Sequence, residues 1–367
     1  MTYKETLFFI GKCLTISHEN RNKILVEDHL KSENVDWDAV VKLSTAHYVF
    51  PALYCNLKRA NFLHYLPKEL VNYMIHITDL NRERNQQIID QAKEINTLLL
   101  DNNITPIFLK GTGSLLEGLY EDIAERMVGD IDFIVNKNHS LKSFNILKEN
   151  SYSAHIDQLN DHRHLSRLIH KDKIGALEIH KELLIENFAD EFNYDYIKTD
   201  SQIINEVNVM SYQNQLCLSI IAKQINDSGM HFKNIALRNA YDVFLLSKKT
   251  EAKKAFNQFN KLKNPLNNFL ALCFEVFNKV DSLQYQENKE TKKYVSIFKR
   301  HLVDESLGKK KYKNTSRKLF IKSRFNIIYK SIFNKSYRNW LIKRTSDKNW
   351  QKEKLIQLGF KKPKPNS

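Results

Sequence analysis

The alternation of apolar and polar positions divides the chain into four stretches. Up to about residue 100 apolar residues recur at helical spacing. The clearest run is 66–102, where Pro67 stands at the opening, Leu70, Tyr73, Met74, Ile77, Leu80, Ile88, Ile95, Leu98 and Leu99 carry the period, and Asn102 and Asn103 mark the stop. The period then shortens. Ile104 to Leu109 predicts a buried strand, Ser114 to Tyr120 a short helix, Ile131 to Val135 a second strand and Leu141 to Glu149 a helix. His164 to His170 and Ile174 to His180 predict the arms of a hairpin around the polar connection Lys171-Asp172-Lys173. Helical spacing returns after about residue 185, over 214–226, 231–247 and 251–280. This order predicts an α+β protein: an N-terminal helical region (1–102), a small mixed-sheet core (103–190), a second helical region (191–287) and a C-terminal extension (288–367).

Composition adds exclusions. At 367 residues, with 42% apolar and 27% charged residues, the chain is neither disordered, collagen-like nor a polytopic membrane protein. No apolar run approaches the ~18 residues that cross a bilayer. The segment Met1 to Ile16 sets Lys4, Glu5 and Lys12 around an apolar patch of five residues, which is not a signal peptide, so a cytoplasmic location is expected. Cys13, Cys55, Cys217 and Cys273 lie far apart without a CxxC pair, which argues against a zinc ribbon or a disulfide framework and for buried thiols. His155, His162, His164 and His170 match no zinc-binding spacing.

The net charge of +15 is lopsided. Residues 288–367 hold 24 Lys+Arg and 5 Asp+Glu, a net of +19, against 33 and 37, a net of −4, in the remainder. From Leu319 to Trp350 apolar and aromatic residues interleave with the cations. That pattern suits a helix lying on anionic lipid, a nucleic-acid contact region, or plain packing with a solvated basic face.

Glycine is concentrated too. Four of nine, Gly111, Gly113, Gly118 and Gly129, fall within 19 residues, which marks the place where main chain or ligand must come close. The segment reads Phe108-Leu109-Lys110-Gly111-Thr112-Gly113-Ser114, later Arg126, then Gly129-Asp130-Ile131-Asp132-Phe133-Ile134-Val135. In the second strand Asp130 and Asp132 project on one side, with Ile131, Phe133 and Val135 on the other. Two carboxylates so placed repel unless a cation joins them. Mg²⁺, with Mn²⁺ as a substitute, is the natural occupant when a triphosphate completes the ligand set. Gly111 to Ser114 would offer N–H groups and a helix end to phosphates, and Lys110 and Arg126 would add charge-assisted contacts. Arg126 could equally be a structural partner of Asp130. Glu178 and His180 share a face of the far hairpin arm, so Glu178 is a third acid for the metal and His180 a support rather than a catalyst.

The run Leu109-Lys110-Gly111, then Leu119-Tyr120, Arg126, Asp130-Ile131-Asp132 and Leu177-Glu178-Ile179-His180 resembles the uncharacterised nucleotidyltransferase family of the DNA polymerase β-like superfamily. Ser44-Thr45-Ala46-His47 and Ala240-Tyr241-Asp242-Val243-Phe244 extend the resemblance over about residues 35–250. It implies a Mg²⁺-dependent enzyme that moves a nucleotidyl group from a nucleoside triphosphate to an acceptor, whether small molecule, sugar, protein or RNA. In these terms Asp130, Asp132 and Glu178 hold the metal and Gly111 to Ser114 the triphosphate. Two departures stand out: the glycine-serine turn of the superfamily lies closer to the acid pair, and Lys181 follows His180 where the family tends to an aromatic residue. A non-catalytic nucleotide sensor with a docking tail is the competing expectation.

Overall fold

The computed structural model describes residues 1–154, 163–185 and 187–357. His155 and His162 lie outside them. The described residues form two compact units, one of residues 1–154 and 163–308, the other from residue 309 onward.

The first unit opens with α1 (Tyr3–Cys13), α2 (Asn20–Lys31), α3 (Trp37–Ala46) and α4 (Phe50–Arg59), followed by the 33-residue α5 (Lys68–Leu100). Local chemistry fixes their ends. Thr2 and Glu5 cap α1 reciprocally, Asp36 accepts from the Ala39 N–H at the start of α3, and Pro51 stands in the first turn of α4. Pro67 caps α5 instead of entering its first turn, and Asn103 ends it in the left-handed region at φ 58°.

Next come β1 (Ile107–Phe108), α6 (Lys110–Leu116), β2 (Asp130–Ile134), α7 (Ser140–Glu149), β3 (Ser153–Ala154), β4 (Leu168–Ile169) and β5 (Ala176–His180). After α8 (Tyr194–Lys198), β6 (Gln202–Ile204) and β7 (Val207–Val209), the unit closes with α9 (Tyr212–Ile221), α10 (Gly229–Phe232), α11 (Leu237–Ser247), α12 (Ala252–Asn257), α13 (Lys263–Val276) and α14 (Lys289–Val303). The second unit contains α15 (Glu305–Phe333) from residue 309 onward, α16 (Lys335–Thr345) and α17 (Lys348–Gln357).

Among the described residues, seven strands form one mixed sheet in the order β3-β4-β5-β2-β1-β7-β6. β2 lies antiparallel to β1 and parallel to β5, in a register that sets Asp132 beside Glu178 and Ile134 beside His180. The residues between the acids point the other way: Ile131, Phe133, Leu177 and Ile179 are fully buried, and Phe133 packs on Phe108 with ring centroids 5.8 Å apart. All four cysteines are buried and free.

The long helix α5 holds the sheet from one side with amides. Asn81 donates to the Ala124 carbonyl at 2.7 Å and Asn85 to the Arg126 carbonyl at 2.6 Å, so the loop leading into β2 is pinned. Gln91 donates to the Gly175 carbonyl and accepts from its N–H, both at 2.9 Å, which pins the entry to β5. Buried main-chain groups outside regular structure need such partners.

Three features differ from the sequence expectation. The first strand is two residues long instead of six, because Pro106 has no N–H to give a ladder. The helix after it starts at Lys110, four residues early, so Gly111 to Ser114 lie within α6 and do not form an open turn. Here glycine is required by close packing: a Cβ on Gly113 would lie 2.8 Å from the Phe108 carbonyl oxygen, and one on Gly111 2.9 Å from Val128. Finally, β6 and β7 join the sheet from a region expected to be wholly helical. Their hairpin turns on Asn205 and Glu206, both at positive φ, and without a glycine the turn leaves no familiar trace in the sequence.

Candidate active site

The site grows from the side of β2 and β5 that faces away from the core. Strand alternation puts Asp130 and Asp132 on that side, and the parallel pairing brings Glu178 next to Asp132. Lys110 comes from the junction of β1 and α6. Its φ of 50° is left-handed, a conformation a lysine adopts only under constraint, and its Nζ lies 2.5 Å from Asp132 Oδ1. His180, buried at the end of β5, contacts the same oxygen through Nε2 at 2.8 Å. Arg167, just before β4, places Nη2 2.5 Å from Asp130 Oδ2 and 3.5 Å from Glu178 Oε1. His164 Nε2 lies 3.9 Å from Glu178 Oε2.

The three carboxylates differ in their electrostatics. Burial works to raise Asp132, but the Lys110 ammonium and the hydrogen bond from His180 outweigh it and hold the carboxyl well below the usual range. Burial raises Asp130, partly offset by the Arg167 charge, and burial together with the charge of Asp132 raises Glu178. Burial lowers His180 to about 4, helped by the Lys110 charge. At neutral pH its ring is therefore neutral, and since an ionised Asp132 can only accept, Nε2 carries the hydrogen. Nδ1 is left buried without a hydrogen-bond partner among the described residues.

That geometry makes His180 a pH-dependent element of stability. An unfolded histidine takes up its proton near 6.5, whereas the folded one resists protonation until about 4, so the unfolded state binds more protons in between and stability falls as the pH drops through that window. Urea midpoints measured between pH 6.5 and 4 are expected to fall more steeply for wild type than for His180→Gln, which keeps a donor for Asp132 but does not titrate. Equal slopes would show that His180 is charged in the folded protein.

Not all expected residues gather here. Arg126 is buried and committed elsewhere: its Nε donates to Asp242 Oδ2 on α11 at 3.0 Å and its Nη1 to the Met127 carbonyl at 2.9 Å. Tyr120 donates to the other Asp242 oxygen at 2.8 Å. The guanidinium lies behind Gly111, 3.6 Å from where a Cβ would stand, so it braces α6 from inside. Its structural partner is Asp242 rather than Asp130. The Thr112 hydroxyl donates to the Asp130 carbonyl and the Ser114 hydroxyl to Gln215, and both are buried. The sequence reading does not single out Arg167, and it considers His164 only as a zinc ligand. Both stand in the near hairpin arm, and pairing of that arm with the one bearing Glu178 was the available signal.

The donor set fits a hard divalent cation. Ligand atoms of Asp132, Glu178 and His180 lie within 4.8 Å of one another, and with His180 Nε2 holding its hydrogen toward Asp132, the oxygens offered to an ion are those of Asp132 and Glu178, with Asp130 two residues along the same strand. Three carboxylates face two side-chain cations, Lys110 and Arg167, and oxygen-rich sites with surplus negative charge are those that Mg²⁺ and Mn²⁺ occupy.

Solved structures similar to this chain include the following two. That of a candidate nucleotidyltransferase from H. pylori is 16% identical, covering 65% of this chain and 96% of its own with a TM-score of 0.31. The structure of JHP933 from Helicobacter pylori is 14% identical, covering 67% of this chain and 97% of its own with a TM-score of 0.29. No curated protein matches. The model of the uncharacterised nucleotidyltransferase family matches residues 33–278, which take in every strand of the sheet and every residue of the site. With 246 of 367 residues matched, the chain belongs to the uncharacterised nucleotidyltransferase family and is a nucleotidyltransferase.

Proposed function

We propose that the protein transfers a nucleoside monophosphate from a nucleoside triphosphate to an acceptor hydroxyl and releases pyrophosphate, using Mg²⁺ or Mn²⁺ held by Asp130, Asp132 and Glu178. The observation that carries this reading is the parallel register that sets Glu178 beside Asp132, with Lys110 and Arg167 spanning the carboxylates. In the reaction the acceptor oxygen forms a bond to the α-phosphorus, the bond from that phosphorus to the bridging oxygen breaks, the hydroxyl proton passes to solvent and pyrophosphate departs. The divalent ion supplies positive charge to the phosphoryl oxygens when bound. Lys110 and Arg167 exchange their carboxylates for phosphate oxygens and offset the charge that builds on pyrophosphate. His180 donates to Asp132 from behind and fixes the carboxylate orientation. In this reading the first-turn N–H groups of Gly111 and Thr112 bind the nucleotide, while Arg126, Gly113 and Ser114 act by supporting α6.

The catalytic core is proposed to be residues 103–190 enlarged by β6 and β7. No described helix is long and apolar enough to cross a membrane, and a cytoplasmic location is part of the same proposal. The test separates nucleotidyl from phosphoryl transfer. Incubated with cell extract and each nucleoside triphosphate in turn, the protein should move an α-phosphate label onto an acceptor and release a γ label as pyrophosphate, and Glu178→Gln should abolish both. Transfer of the γ label to an acceptor would overturn the reading.

A further inference from the structure

Helix α15 presents two different faces. Phe320, Arg324, Ile327 and Ser331, spaced four, three and four residues apart, are half-buried or buried. The adjacent arc carries Ile321, Phe325, Ile328, Tyr329, Ile332 and Phe333, all exposed, with Phe325 at 69% and Phe333 at 75%. At 100° per residue these six side chains fall within roughly 140° of the helix circumference, which makes an apolar strip over about three turns, interrupted at its N-terminal end by exposed Lys322. Towards the N-terminus the same arc continues as exposed Lys310, Lys311, Arg317 and Lys318. Residues 306–346 hold 13 Lys+Arg and not one Asp or Glu.

We propose that this face of α15 docks the enzyme on an anionic lipid bilayer, a property independent of nucleotidyl transfer. Charge complementarity names the partner: exposed Lys310, Lys311, Arg317 and Lys318 extend the arc itself, within a stretch from 306 to 346 that has no acid, and suit a densely anionic surface. The apolar strip then decides between lipid and nucleic acid. Ile321, Ile328 and Ile332 form one whole flank of it, beside Phe325, Tyr329 and Phe333, and branched aliphatic side chains have no π-face to stack on bases, whereas they gain hydrocarbon burial at a bilayer. The helix would lie in the interface, with Phe325 and Phe333 among the acyl chains and the lysines at headgroup level.

Co-sedimentation of the full-length protein with vesicles tests this. Wild type should pellet with mixed phosphatidylcholine–phosphatidylglycerol vesicles and stay in the supernatant with phosphatidylcholine alone. Phe325→Ser/Ile332→Ser should weaken pelleting at least about tenfold, because two large apolar side chains are withdrawn from the acyl layer. Lys311→Gln/Lys318→Gln, which leaves the strip intact, should weaken it severalfold and make it less sensitive to salt, and this variant carries the test if circular dichroism shows helix lost in the first. Absence of pelleting by wild type, or pelleting unchanged in both variants, would overturn the proposal. So would binding of a single-stranded RNA oligonucleotide that the strip substitutions weaken while vesicle binding stays, and so would a dimer in gel filtration that those substitutions dissociate while vesicle binding stays.

Discussion

Replacing Asp132 with asparagine is expected to reduce transfer of the α-phosphate label by about 10³-fold or more, the scale of removing a central charge-stabilising group from a phosphoryl site. Asp132 is the carboxylate on which the site converges: Lys110 and His180 both bind its Oδ1, and Glu178 stands next to it across the strands. Asparagine keeps the shape, so the His180 donor still finds an oxygen, but the charge that anchors a divalent ion is gone. The measurement pairs turnover with direct Mn²⁺ titration. A variant that binds Mn²⁺ with wild-type affinity, or turns over within tenfold of wild type, would remove Asp132 from the centre of the mechanism.

The second large effect concerns the buried ion pair behind the site. Asp242→Ala is expected to lower unfolding free energy by about 3–5 kcal/mol, because it strands the Arg126 guanidinium without a counter-charge and also leaves the Tyr120 hydroxyl without its acceptor. Arg126→Met/Asp242→Leu, which removes both charges, should recover most of that loss, as replacement of a whole buried pair by apolar side chains usually does. Equilibrium denaturation of the two variants gives the comparison. The double variant also asks whether Arg126 touches the nucleotide: KM for the triphosphate should stay near wild type, and a large rise would return Arg126 to the phosphate contacts that the sequence suggested.

How far the sequence foretold the site depended on where the determining contacts lie. Asp130, Asp132, Glu178 and His180 were legible because strand alternation is local and forces alternate residues to one side. The side-by-side pairing of Asp132 with Glu178 needed only a guess that the two strands are neighbours. Arg126 is half legible: the sequence allows it a structural role as a partner of Asp130, but its actual partner Asp242 lies 116 residues away on a helix whose apolar spacing carries no mark of an ion pair. Among the clustered glycines, Gly111 and Gly113 have a packing role that the sequence does not separate from a ligand-binding one. A Cβ on either would run into a neighbour of α6, Val128 or Phe108, whereas one on Gly118 or Gly129 would meet nothing within 4 Å, and packing of this kind is as good a reason for glycine as a bound ligand. β6 and β7 went unseen because each strand is three residues long and their turn uses Asn205-Glu206.

The amides of α5 have a bearing on how this sheet can vary. Asn81 and Asn85 fix the approach to the strand of the two aspartates, and Gln91 fixes the approach to the strand of the glutamate, all from one unbroken rod. The rod thus acts as a gauge, setting the distance between two chain entries that are otherwise far apart in sequence. One residue added between Asn85 and Gln91 would swing the glutamine by about 100° and carry it about 1.5 Å along the axis, so its grip on Gly175 would fail while both asparagines held. Lengthening or shortening of this helix is therefore tolerable at its two tips and forbidden in the interval from Asn85 to Gln91 that keeps the acids level with each other.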